Sequence, residues 1–150
     1  MVFHPMKIHA STHLTRSEKN IQKAGDFFQI AIPLQAMVLT YKNKDAEGRK
    51  MLIKGMLYNV LMTMALKKIT NKQRPDGGDS YSFPSGHTSV SFQAASFIGQ
   101  RYGHKKAILP YLCASFVGVS RIKSKRHDTQ DVIAGLSLGS FTSITLTKRF

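Results

Sequence analysis

The sequence predicts an all-α protein, a helical bundle of about five core helices with its chemistry at one end. Two observations predict this. Five apolar segments, at 27–41, 51–66, 88–100, 107–119 and 132–147, each read as one helix. They are joined by charged or glycine-bearing connections, and the residues able to do chemistry fall beside the second and fourth connections, which an up-and-down bundle places at the same end. At 150 residues the chain reads as a single domain over 1–150, long enough to bury a core and short for two.

Residues 1–25 read as a basic tail or short surface helix, with helical potential around 16–23. Its histidines, His4, His9 and His13, have no cysteine or carboxylate to complete a metal site and are expected to be solvated. Gly25-Asp26 opens the first apolar segment, with Asp26 as its expected N-cap and Pro33 as an expected kink. The second segment carries Met51, Met56, Met62 and Met64 as core filler, and Lys54 close enough to its start to snorkel. Lys67 stands at its end, and Asp76-Gly77-Gly78-Asp79 makes a loop into Pro84-Ser85-Gly86-His87. The fourth segment runs straight into Ser120-Arg121, and the basic loop 122–126 delivers His127. A last helix starting near His127 puts Asp131 one turn along on the same face.

Composition narrows the partners. The chain has 22 Lys plus Arg against 8 Asp plus Glu, a net charge of +14, which points to anions: nucleic acid, acidic headgroups or phosphorylated substrates. The single cysteine, Cys113, excludes an intrachain disulfide. The first twenty residues lack an apolar stretch, so no cleavable signal peptide is expected. The mean hydropathy of -0.18 is low for a polytopic membrane protein, although basic loops lower any average.

The motif residues supply three fixed cations (Lys67, Arg74, Arg121), two imidazoles (His87, His127) and a carboxylate, Asp131, spaced to orient one of them. A phosphoryl group needs this inventory: charge neutralisation, a nucleophile, and an acid for the leaving oxygen. The backbone N–H of Gly86 and the Ser85 hydroxyl, at a helix start, can complete the cradle. Singly, an Arg-Pro pair is an ordinary helix-end turn and Pro-Ser-Gly an ordinary cap; the weight lies in their joint register. Lys68, Lys72, Lys123, Lys125 and Arg126 read as electrostatic surroundings, and Asp128 as no part of the motif.

Lys67 with Arg74-Pro75, Pro84-Ser85-Gly86-His87, and Ser120-Arg121 with His127 and Asp131 resemble the tripartite signature of the type 2 phosphatidic acid phosphatase superfamily. That group includes lipid phosphatases, bacterial acid phosphatases, glucose-6-phosphatase and vanadium haloperoxidases. The resemblance implies that His127 attacks phosphorus, that Asp131 fixes its tautomer, and that His87 protonates the leaving oxygen, with no metal and no cofactor. It further implies a lipid phosphate or diphosphate substrate, a multi-pass place in a bacterial inner membrane with the site toward the periplasm, and no nucleic acid partner. The family's first helix is missing from the pattern, with an amphipathic segment expected in its place. Two other readings stay open: an acid phosphatase for small soluble esters, and a non-catalytic basic module that binds anionic lipid.

Overall fold

The computed structural model describes residues 14–150. They form five helices: α1 (Arg16–Lys42), α2 (Ala46–Thr70), α3 (Gly86–Tyr102), α4 (His104–Lys123) and α5 (Thr129–Leu146). The histidines His4, His9 and His13 lie outside the described residues.

The first helix starts eleven residues earlier than the apolar pattern suggests. Thr15 and Glu18 form a capping box, each side chain bonding the other's backbone N–H, so the helix is nucleated at Thr15. Asp26 is therefore not an N-cap. It lies a full three turns inside a continuous helix, and the expected surface helix at 16–23 is that helix's polar end. Pro33 also lies within the helix and does not end it. At the other end of the chain Asp128, not His127, caps α5, in a second capping box with Asp131.

The central element is α3, packed against all four other helices. Phe92, Ala94, Ala95, Phe97 and Ile98 are buried on it, and so are Ser89, Ser91, Gln93 and Ser96. Small side chains let the neighbours close in. At Gly139 of α5 a Cβ would lie 2.1 Å from the carbonyl oxygen of Ser89, so only glycine permits this approach of α5 to α3.

Polarity is inverted relative to a water-soluble bundle. Thr40, Asn59, Thr63, Ser89, Gln93 and Ser143 are buried, while large apolar side chains face outward. On α1 the exposed residues Phe27, Ile30, Leu34, Val38 and Tyr41 recur every three or four positions and make one continuous stripe. Exposed Ile53, Leu57 and Leu61 on α2, Ile108 and Leu112 on α4, and Phe141 and Ile144 on α5 extend this surface around the bundle. No helix among the described residues is long and apolar enough to cross a membrane by its hydropathy. The inward polar residues are one reason, because they dilute each helix's average.

The end of the bundle remote from the signature residues is tied by a buried ion pair. Arg101 donates to both carboxylate oxygens of Asp45, at 2.7 and 2.6 Å, and Tyr102 donates to the same group at 2.9 Å. This locks the α1–α2 turn onto the end of α3.

Replacing Gly139 with Ala is expected to lower stability by about 2 kcal/mol, the scale of overpacking a tight contact. Thermal unfolding in detergent reads this directly, and an unchanged midpoint would mean that α5 does not sit on α3 as described.

Candidate active site

The loop between α2 and α3, the loop between α4 and α5, and the polar end of α1 converge on a cavity of about 210 Å³. Its wall is formed by Gln22, Asp26, Lys67, Arg74, Gly86, His87, Arg121, Arg126 and His127. Six of the eight sequence-predicted site residues thus meet in one place: Lys67, Arg74, Gly86, His87, Arg121 and His127. Asp131 stands behind His127. Ser85 is fully buried with its hydroxyl 2.9 Å from Thr88 Oγ1, so it braces the start of α3 and is not part of the cavity wall.

Each cation is held by a partner. Arg121, 3% exposed at its side chain, donates to Asp26 Oδ1 at 2.8 Å, to the carbonyl of Gln22 at 2.9 Å and to Ser120 Oγ at 3.1 Å. Gly25 makes the first two bonds possible. A Cβ there would lie 2.0 Å from Ser120 Oγ, so its absence lets α1 close on α4. Arg74 donates from Nε to Asp79 at 2.7 Å. Lys67 donates to the carbonyl of Tyr81 at 2.5 Å, and Arg126 to Asp76 at 3.1 Å.

His127 is buried between Arg74 and Asp131. Arg74 Nη1 approaches its Nε2 at 3.3 Å. A guanidinium only donates, so Nε2 accepts and the ring proton sits on Nδ1, facing Asp131. That nitrogen is 3.4 Å from Asp131 Oδ2, too far for a good hydrogen bond, and has no closer partner among the described residues. The same Oδ2 is engaged by the Ser82 hydroxyl and by the backbone N–H of Asp128 at 3.2 Å. Lys72 holds the other oxygen, Oδ1, at 2.8 Å and also pairs with Asp128 at 2.5 Å.

Both imidazoles are held well below their ordinary value, which favours their neutral forms. Burial, then the charges of Arg74 and Lys67, push His127 down to about 4 against the opposing pull of Asp131. Burial, then Arg121, push His87 down to about 4, with Asp26 opposing. A neutral His127 suits a nucleophile. A proton donor at the position of His87 needs the charge of a bound anion to raise it.

Several residues escaped the sequence reading. Asp26 accepts from Arg121 and lies 3.1 Å from His87 Nε2, yet the sequence offered it only as a cap. Lys72 and Asp128, set aside as surroundings and as no part of the motif, join Ser82 in fixing Asp131. The capping spacing of Asp128 and Asp131 was the available signal for one of them.

A groove of about 270 Å³ shares Lys67, Gly86 and His87 with the cavity and continues along Gln29, Val60, Thr63 and Met64. Through Val60 it meets a cleft of about 410 Å³ between α1 and α2, lined by Pro33, Leu34, Met37, Leu52, Ile53, Met56 and Leu57. The charged cavity therefore opens onto an apolar path down the bundle.

Residues 51–150 match the family model described as PAP2 superfamily. A lipid A 1-phosphatase of Porphyromonas gingivalis is 35% identical over 118 residues, 72% of this chain and 26% of that protein. The chain thus spans about a quarter of the length of this curated relative. The crystal structure of Aquifex aeolicus LpxE superposes with a TM-score of 0.73 at 19% identity, covering 91% of this chain and 88% of that one. That of the first transmembrane PAP2 type phosphatidylglycerolphosphate phosphatase from Bacillus subtilis gives 0.67 at 24%, covering 87% and 73%. At these identities the two likenesses establish a shared fold.

The neutral imidazoles make anion binding proton-coupled. A bound dianion raises His87, so the complex holds more protons than the free protein and affinity rises as pH falls from 8 toward 5. Sulfate, which keeps both charges over this range, is the probe. Calorimetry should show its affinity strengthening by up to about tenfold per pH unit for each proton taken up; a flat profile would mean that His87 does not face the anion.

Proposed function

The chain belongs to the PAP2 superfamily, and from that premise we propose that it is a metal-independent phosphatase acting on a membrane lipid phosphate or diphosphate. The observation that carries the lipid half of this reading is the continuity of the cationic cavity with the apolar groove along α1 and α2. A phosphate in the cavity directs its ester substituent toward Val60 and Met64, which suits hydrocarbon. The outward apolar stripe on α1 and its counterparts on α2, α4 and α5 suit a bundle embedded in lipid along 27–41, 51–66, 88–100, 107–119 and 132–147. All the charged site groups then lie outside those stretches. The likeness to a lipid A 1-phosphatase supports the same substrate class, which also includes phosphatidic acid, phosphatidylglycerol phosphate and isoprenoid diphosphates.

In the proposed reaction Lys67, Arg74 and Arg121 neutralise the phosphoryl oxygens, with the N–H of Gly86 at the start of α3 as a further donor. His127 Nε2 attacks phosphorus as the bond to the leaving oxygen breaks. His87, protonated once the dianion is bound, gives its proton to that oxygen. Asp131 stabilises the positive charge that His127 acquires and holds the tautomer that exposes Nε2. Neutral His87 then takes a proton from water as its oxygen displaces the histidine, which returns the site to its starting state. Lys72, Ser82 and Asp128 keep Asp131 in place.

The test is release of inorganic phosphate from lipid phosphates and soluble phosphomonoesters by detergent-extracted protein in EDTA. Turnover is expected on lipids, inhibited by vanadate, and reduced about a thousandfold or more in His127→Ala, the scale of losing a nucleophile. Turnover on soluble esters alone would move the substrate to small phosphates, a strict magnesium requirement would overturn the mechanism, and no turnover on either would favour a binding role.

A further inference from the structure

Within the proposed chemistry His127 has a carboxylate behind it, whereas none of the signature residues gives His87 one. The structure places Asp26 there. Its Oδ1 lies 3.1 Å from His87 Nε2 and 2.8 Å from Arg121 Nη1, so one oxygen joins an imidazole to a guanidinium. Asp26 comes from α1, outside the residues matched to the family and 61 positions from His87. Its place is fixed by backbone packing at Gly25 and by the second bond of Arg121, to the Gln22 carbonyl one turn earlier on the same helix. It is 44% exposed and reaches the cavity wall.

We propose that Asp26 is the positioning residue for His87, a second carboxylate that orients its imidazole through Nε2, favours its charged form and keeps Arg121 in its pose. A carboxylate only accepts, so Nε2 carries the proton in this pair. Among the described residues Nδ1 makes no protein hydrogen bond, which leaves it as the atom free to exchange a proton.

The charges around His87 show why such a partner is needed. Lys67 of α2, Arg74 of the α2–α3 loop, Arg121 of α4 and Arg126 of the α4–α5 loop share the cavity wall with it, and all oppose an imidazolium. His127 shares the wall and is held toward its neutral form, with Asp131 of α5 behind it. Among the described residues Asp26 is the one carboxylate on that wall. Without it, His87 faces four cations with no partner, and a proton donor is hardest to sustain.

The experiment compares full-length wild type, Asp26→Asn and Asp26→Glu in detergent by two readouts. One is the His87 imidazole titration by NMR in saturating sulfate, assigned by loss of its signal in His87→Asn. The other is phosphate release from a lipid phosphate as a function of pH, and only this second readout rests on the phosphatase reading. Asp26→Asn, nearly isosteric, should lower the His87 midpoint by about one pH unit, the scale of losing a close opposite charge. The high-pH limb of kcat should move down with it, and kcat should fall more than KM rises. Asp26→Glu should recover most of both shifts. A midpoint unmoved in Asp26→Asn, or a rate loss with an unchanged pH profile, would overturn the inference and leave Asp26 a structural anchor for Arg121. A midpoint lowered in Asp26→Asn, alongside a wild type that releases no phosphate, would uphold the pairing and instead refute the phosphatase.

Discussion

Holding four cations around one small cavity is the constraint on which the rest of the structure depends. Lys67, Arg74, Arg121 and Arg126 share a wall, and like charges at such separations repel by kilocalories unless they are offset. The chain has six aspartates, and five of them are spent here. Asp26 pairs with Arg121, Asp79 with Arg74, Asp76 with Arg126, and Asp128 and Asp131 with Lys72 just behind. In a protein of net charge +14 this is a marked concentration of acid. It leaves the cations oriented without exhausting them. Arg121 commits three N–H groups to protein, so two of its five remain for a ligand.

That arrangement is possible because helix axes approach closely where side chains are small. Gly25 brings α1 onto α4, which joins residues 95 positions apart in the Asp26–Arg121 pair. Gly135 and Gly139 bring α5 onto α3, where a Cβ would stand 2.5 and 2.1 Å from the backbone oxygens of Ser85 and Ser89. The α5 capping box then fixes Asp131 beside Ser82, and the backbone N–H of Ser85 bonds the Asp131 carbonyl at 2.9 Å. His87, His127 and the cations around them are thereby registered to one another through backbone contacts. Charged side chains alone would not give that precision, since they trade partners readily at an exposed site.

The sequence was legible where chemistry repeats at short range. Lys67 and Arg74, the residues around His87, and Arg121 with His127 and Asp131 were each readable as blocks, and five apolar segments gave five helices. What escaped was non-local. Asp26 looked like a cap because polar residues 16–26 broke the apolar pattern, whereas the helix continues through them from Thr15. Its partner in space is on α4, and nothing in its neighbours announces that. Lys72 and Ser82 were invisible for the same reason, since both act through Asp131, 59 and 49 residues away. Ser85 differs in another way: a hydroxyl at a helix start reads as a ligand, and in the structure it lies 2.9 Å from Thr88 Oγ1 inside the turn.

The proposed lipid substrate raises a question of where discrimination comes from, because the cavity's electrostatics would accept any phosphate. Burying hydrocarbon from water yields about 0.8 kcal/mol per methylene. For a substrate already in a bilayer that gain is absent, since its chain leaves one apolar environment for another. The groove past Val60 and Met64 therefore contributes little affinity. Its contribution is geometric. In the proposed reaction, seating the first methylenes along α2 would fix the direction of the phosphorus–oxygen bond relative to His127, and alignment of the breaking bond with the nucleophile is where a large part of a displacement barrier is removed. On this argument a soluble phosphate can fill the cavity and still react slowly, and the selectivity of the site resides in kcat rather than in binding.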